Sequence, residues 1–449
     1  MGRRSVTPLL IGTLILRTSS GASTIIVGLL LAQLSVRTAH SINSLQVGLL
    51  PVVFYITELT LAPFMGGLSD RWGRRTFMIV GPVFGLLQAG LYVFTPSVHP
   101  LPYLLALQAL AGISGAMSLP AVLGYLADYT ATDRQRRMRV MSFYELVTSG
   151  GIAAGTVVGG FAWEHFERLS FLWLAASYCL VILCMFLAPK VSQIVDRGDL
   201  QVVAKRYWRL LRTPRLFIFI PAWLCISALV GIWLSSQLTF ILSTPSHHRG
   251  QRVMGSMGII GGGHTLSLVL GGFVLFFGLS LLFWAFFLNR IPRLRLMLIS
   301  VGGVYLACLA LGGINHFGTQ NGAGFIWIPL LLGGIFAETS FAPSALAYLA
   351  DISEEASKDR GLVMGLYSIF LGLGQILGNG LGGVFAHNFG FDGLIYLTVI
   401  LATVALGSLL LLYRYERHRL NWHVGVETST GDAQAEKMRS ESRSNAWEN

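Results

Sequence analysis

The chain has 449 residues, 53% of them hydrophobic and only 12% charged, with a mean hydropathy of +0.64. Soluble domains carry about 25% charged residues, so this composition excludes a soluble fold and predicts a membrane protein. Lys and Arg number 32 against 21 Asp and Glu, a net charge of +11, which in a soluble chain points to nucleic acid but here follows membrane topology, so no nucleic-acid partner is expected.

Met1-Gly2-Arg3-Arg4 opens the chain with positive charge, and the apolar stretch that follows is too long for a signal peptide and contains Arg17. It reads as a retained first transmembrane helix. Runs of roughly 20 apolar residues then recur near 8–34, 45–66, 76–95, 101–127, 140–163 and 169–189, and, after a more polar stretch, near 216–242, 258–288, 296–314, 324–349, 361–386 and 391–413. The eighth run opens on Gly255, Gly258 and Gly261 to Gly263, a loop-like start. The expected fold is an all-α polytopic membrane protein of twelve helices. Residues 1–189 form an N-terminal six-helix half, 190–215 a cytoplasmic linker, 216–413 a C-terminal half and 414–449 a cytoplasmic polar tail, expected to be disordered for want of apolar residues. Cys179, Cys184, Cys225 and Cys308 all fall inside apolar runs, as packing residues rather than a disulfide framework.

Alternating the segments across a membrane puts 27 of the 32 basic residues on one side, leaving Arg37, Arg168, Arg249 and Arg252 on the other and Arg17 within a span. Cytoplasmic loops carry the Lys/Arg excess, so both termini are placed in the cytoplasm of a cell membrane. Anionic lipid headgroups then suffice as partners of the charge.

An offset of 223 residues aligns Pro120-Ala-Val-Leu-Gly-Tyr-Leu-Ala-Asp128 with Pro343-Ser-Ala-Leu-Ala-Tyr-Leu-Ala-Asp351. Without a gap it also pairs Arg137 with Arg360, Tyr144 with Tyr367, and Gly151, Gly155, Gly159 and Gly160 with Gly374, Gly378, Gly382 and Gly383. Two parallel repeats of six helices are the plan of a transporter whose site lies between its halves.

Between the second and third segments stands Gly66-Gly67-Leu68-Ser69-Asp70-Arg71-Trp72-Gly73-Arg74-Arg75. Glycines allow a tight turn at the membrane face, and the charges suit helix ends and lipid phosphates. With the repeat, this resembles the loop signature of the major facilitator superfamily, Gly-x-x-x-Asp-Arg-x-Gly-Arg-Arg/Lys, and the resemblance covers residues 8–413. It implies secondary transport and a latch between the halves at Asp70, with Arg74 or Arg75 as supporting charges and Gly66, Arg71 and Gly73 completing the motif. The 223-residue counterpart of Asp70 is Arg293, so a second-half latch is expected to be weaker or absent.

Two departures qualify the resemblance. The glycine face of the fifth segment lacks the Gly-Pro pair of the family's antiporters, since Thr156 follows Gly155, and helix packing explains it as well. The fourth segment carries Gln108 where proton-coupled members often have Arg.

Arg17, Glu58 and Glu338 are ionisable residues inside spans, where charge is costly and marks a cavity or a pair. Arg17 and Glu58 share a depth and are expected to pair, for structure or for transport. Glu338 has no basic residue in any other second-half span and is the first candidate for proton coupling or cation binding. Asp128 with Arg137, and Asp351 with Arg360, form expected ion pairs or latches at repeated cytoplasmic ends, with Glu145 a further acceptor for Arg71 or Arg137. Ser20, Thr24, Gln108, Gln237, His264, Gln375 and Asn379 are candidate cavity polar groups beside Trp233 and Tyr367, although His264 alone reads more readily as a satisfied interior group.

No P-loop, His-Glu-x-x-His or Gly-x-Ser-x-Gly motif occurs. The expectation is a monomeric, non-enzymatic secondary transporter without metal or cofactor, exporting small amphiphilic molecules in exchange for protons. A symporter or facilitator for a metabolite, and a non-transporting sensor or scaffold on the same fold, are the alternatives.

Overall fold

A computed structural model describes residues 6–37, 42–130, 134–189, 212–245, 250–256, 263–287, 291–318, 323–355 and 360–444. All regular elements among them are helical: α1 (Thr7–Arg37), α2 (Ser44–Trp72), α3 (Arg74–Tyr92), α4 (Pro100–Tyr129), α5 (Arg134–Phe166) and α6 (Ser170–Leu187), then α7 (Pro214–Trp233), α8 (Ser236–Ser243), α9 (Gly263–Phe287), α10 (Arg293–Phe317), α11 (Gly324–Glu338), α12 (Phe341–Glu355) and α13 (Arg360–Ser444). In a bilayer each backbone polar group must be satisfied within its own segment, which leaves the helix as the spanning element for such sequences.

Local signals set the ends. Asn43 and Gln46 form a reciprocal capping box at the start of α2, and Pro100 and Pro214 occupy first-turn positions where no N–H is needed. Nine helical stretches among the described residues are long and apolar enough to cross a membrane. Leu146–Leu187 and Ile369–His418 are each too long for one crossing, and each is interrupted, by the 3-10 turn Glu167–Leu169 and by non-helical Gly390. Where described, the sequence segments fall on helical stretches, the last two both within α13, and α7 with α8 and α11 with α12 each occupying one segment across a break. Helical backbone continues through Ser444, into the tail whose composition suggests disorder; the tail contains no proline to end the helix.

Within the first half α1 packs on α5 and α6, α2 on α4, and α3 on α4 and α6; in the second, α13 packs on α7 and α10, and α10 on α11 and α12. Among the described residues the halves are joined chiefly by α5 with α9, α2 with α13, and α1 and α2 with α8. These contacts involve the end where α1 and α5 finish and α2 and α9 begin, here called the distal end. The larger apolar core follows the same pattern, running from Ile25–Leu34 of α1 and Leu50 of α2 into α7, α8, α10 and α13. At the proximal end the first half has its own core of Leu9, Phe77, Met78, Met117, Tyr125, Val181 and Met185, while Phe64 and Leu146 stand exposed.

Candidate functional site

The loop motif folds as a tight turn. Gly73 links α2 to α3 at φ +103°, a conformation that favours glycine, with its N–H donating to the Ser69 carbonyl at 3.0 Å. Arg74 reaches Asp128 at the end of α4, 3.2 Å from Oδ2, and its guanidinium fills the space a Cβ at Gly124 would need. Arg75 donates to the Phe186 carbonyl and lies over the Phe186 ring, 5.4 Å from its centroid. Arg71 is exposed. The side chains of Asp70, Arg137, Glu145, Tyr367 and Arg360 lie outside the described residues.

The second half has an ion pair that parallels Arg74 with Asp128. Arg293, at the start of α10, pairs with Asp351 at the end of α12 and donates to the Ala347 carbonyl at 3.0 Å. Each aspartate of the repeat thus has an arginine from the start of an earlier helix, α3 for Asp128 and α10 for Asp351, while the side chains of Arg137 and Arg360, which the sequence suggested, lie outside the described residues.

Arg17 and Glu58 do not form the direct pair expected of them. No ion pair within 4.0 Å joins them among the described residues, because α1 packs on α5 and α6 whereas α2 packs on α4. The Glu58 carboxylate lies against Gly115 of α4, where an added Cβ would stand 3.0 Å from Oε1, and the Arg17 stem lies against Gly151 of α5. Arg17 still acts through space on Glu58, Tyr55 and Tyr178. Its buried Nε has no hydrogen-bond partner. Gln108 is engaged at 3.1 Å with the hydroxyl of Tyr92, which stacks on Phe171, so this residue ties α4 to α3.

Glu338 sits at a helix break. α11 ends on it, Thr339 and Ser340 form a turn, and α12 resumes at Phe341. Hydroxyls take up the freed carbonyls: Ser300 donates to Glu338 O at 2.8 Å, Ser340 to Ala337 O at 2.7 Å and Leu296 O at 3.1 Å, and Thr339 to Phe336 O at 2.8 Å. Trp284 of α9 also donates to Phe336 O, at 2.7 Å. The Glu338 side chain is half-buried and makes no hydrogen bond or ion pair among the described residues, with Cys308 in its electrostatic reach. Trp284, Ser300 and Ser340 were not read from the sequence; the Thr339-Ser340 pair inside an apolar run was the available signal.

Glycines close the helices on one another. Cβ atoms at Gly155 and Gly159 would strike carbonyls of Thr18 and Ala22 in α1, and those at Gly374 and Gly378 would meet Ser227 and Ala228 in α7. Packing is therefore what both repeated faces do. Gly160 abuts Gly263 and Ser267 across the halves, and Gly48 abuts Asn379 and Gly383. Beside the first contact, Glu164 of α5 accepts from the His264 backbone N–H at 3.0 Å and pairs with its Nδ1 at 2.8 Å. His264 is thus a partly exposed bridge between the halves and not an interior group.

Similarity to known proteins agrees with this geometry. The family model described as Major Facilitator Superfamily matches residues 9–263 and 256–434. Multidrug resistance protein 2 of Bacillus subtilis (strain 168) is 25% identical over 341 residues, 75% of this chain and 79% of its own length. The quinolone resistance protein NorA of Staphylococcus aureus (strain MRSA252) is 23% identical over 39% of this chain and 46% of its own. Among solved structures, the nucleoside transporter NupG superposes with a TM-score of 0.69 at 14% identity, and a D-xylose-proton symporter with 0.68 at 13%, each over 91% of this chain and 98% of its own. A polytopic helical fold, a repeated glycine-lined packing and a family match along nearly the whole chain lead to one conclusion: this membrane transporter belongs to the Major Facilitator Superfamily.

Proposed function

We propose that the chain exports small amphiphilic molecules by alternating access, exchanging them for protons across a cell membrane with both termini in the cytoplasm. Residues 1–189 and 216–413 act as the two rocking halves, 190–215 as their linker, and Asp70 as a latch on the cytoplasmic side. In that orientation the distal seam is extracellular and the described conformer faces inward. The observation that carries the coupling role is Glu338: a half-buried carboxylate without a partner among the described residues, at a break in a spanning helix. Intramembrane acids in such places serve proton and cation movement, and multidrug resistance relatives favour export.

The test is accumulation of fluorescent amphiphilic dyes in bacteria lacking their own pumps, with and without an uncoupler. Expected is reduced accumulation that both the uncoupler and Glu338→Gln abolish. Unchanged export in well-expressed Glu338→Gln would remove the coupling role. No export by the wild type would shift the reading to uptake of an anionic metabolite, for which the unpartnered Arg17 Nε is the motivating group.

A further inference from the structure

One contact between the halves places a carboxylate of the first half on the end of a helix of the second. Helix geometry leaves the first N–H groups of α9 without acceptors inside the helix. Glu164, at the distal end of α5, supplies an acceptor from across the seam. Its Oε2 accepts from the His264 backbone N–H at 3.0 Å and stands 2.8 Å from His264 Nδ1, with Oε1 at 3.0 Å from the same nitrogen. A single carboxylate thus caps α9 and pairs with the imidazole carried by the same turn. Both bonds depend on how near α5 and α9 lie. Four residues before Glu164, Gly160 abuts Gly263 and Ser267 with no room for a Cβ, and Val157 fills the corresponding space at Gly271. A hydrogen bond does not survive stretching past roughly 3.5 Å, so a small parting of the two helices breaks cap and pair together.

The imidazole meets the distal solution. The His264 side chain is 42% exposed, and histidine is the side chain whose charge ordinarily changes between about pH 5 and 8. Its Nδ1 faces Glu164, its Nε2 lies 3.3 Å from the Thr265 hydroxyl, and the Phe161 ring stands 6.3 Å away. The other charged and titratable groups described at this end are engaged elsewhere or stand in solvent. His165 bonds the Phe161 carbonyl of its own helix, Arg168 donates to the Thr95 carbonyl, Arg252 donates to the Phe317 carbonyl, and Glu167 is exposed on the turn after α5. Of the second-half helices packed on α9, α11 carries only Glu338, at its far end, and α12 carries Asp351, Glu354 and Glu355 toward the proximal end. Glu164 is therefore the charge that the imidazole answers to.

A neutral imidazole donates one ordinary hydrogen bond to the carboxylate, whereas an imidazolium makes that bond charge-assisted and stronger. When the seam parts, both groups return to water and the gain is lost. Protonation therefore favours the joined seam: the preference is fully present below the range in which the imidazole titrates and is lost as pH rises through it. We propose that Glu164 and His264 form a pH-sensitive clasp, through which acid on the distal side favours the form in which the distal seam is joined. This goes beyond the transporter reading and rests on its alternation of access. In the orientation of that reading, acid outside the cell favours the inward-facing form, which takes up the next molecule for export.

The test is the distance between spin labels at the distal ends of α1 and α8, away from the clasp, in the purified full-length protein in detergent between about pH 8 and about pH 5. Expected is a rise of up to about fivefold in the ratio of joined to parted seam as pH falls, the range that a partly exposed pair can supply. His264→Gln keeps a side-chain donor but does not titrate, and should hold the ratio near the wild-type value at high pH throughout. Glu164→Gln keeps an acceptor for the backbone N–H without the charge, and should flatten the response as well. Glu338→Gln should retain it. A wild-type ratio independent of pH, a single distance at every pH included, overturns the proposal, as does a response that survives His264→Gln or vanishes in Glu338→Gln. If either clasp variant fails to fold, the other decides. Because the readout involves no transport, an intact pH response together with absent dye export would sink the export reading and leave the clasp standing.

Discussion

Single glycines are where this chain is least tolerant, and the reason is distance. A Cβ at Gly155 would lie 2.0 Å from the Thr18 carbonyl oxygen, whereas at Gly150, five residues earlier on the same helix, nothing lies within 4 Å. Gly155→Ala should therefore lower stability by about 1–3 kcal/mol through overpacking, while Gly150→Ala should leave it unchanged or raise it by up to ~1 kcal/mol through helix propensity. Thermal unfolding of the two variants in one detergent checks the contrast; equal midpoints would refute the packing role. The repeat made these faces legible in sequence, since Gly378 meets Ala228 O at the same 2.0 Å. The individual pairings of Gln108 with Tyr92 and of Trp284 with Phe336 O were not legible. Many apolar helix faces can accept such polar groups, and only the three-dimensional register chooses the partner.

Whole helices read from hydropathy came out in place, but breaks within them did not. Hydropathy sums side chains and is blind to backbone hydrogen bonds, so Trp233–Ser236 and Glu338–Phe341 look continuous in sequence and part only in space. Helix-end charges show a similar limit. Sequence proximity suggested Arg137 and Arg360, whose side chains lie outside the described residues, and did not suggest Arg74 and Arg293, which reach Asp128 and Asp351 from the starts of α3 and α10. The two pairs occupy matching places but differ in burial: side-chain exposure is 14% and 7% for Arg74 and Asp128, and 37% and 50% for Arg293 and Asp351. A double-mutant cycle with Ala should accordingly give a coupling on the order of 1–3 kcal/mol for the first pair and below about 1 kcal/mol for the second, exposed pair. Equal couplings would mean that burial does not govern these contacts.

At the scale of the molecule, the contacts between the halves are where the proposed alternation of access would have a gate. The halves meet through α1–α8, α2–α13 and α5–α9, and close approach at Gly28, Gly48 and Gly160 lets backbones touch. Such a seam excludes water but also buries Gln237, Thr239, Ser267 and Asn379 with unpaired polar atoms. Each unpaired group costs about 1–3 kcal/mol when buried, which opposes closure and keeps the apolar contact from becoming permanent. Glu164 and His264 add a polar bridge at the distal end, joining α5 to the first turn of α9. Because the pair is partly exposed, its contribution is below about 1 kcal/mol, enough to change the ratio of closed to open forms by up to about fivefold. Glu164→Gln should shift the population toward the distally open form by that factor or less, read as a longer distance between spin labels placed at the distal ends of α5 and α9. His264→Gln should produce a similar shift, and the double variant no more than either alone, because each substitution breaks the same bridge. Additive shifts would show instead that Glu164 and His264 act on the distal seam through separate contacts, and the bridge would then lose its role in holding the seam.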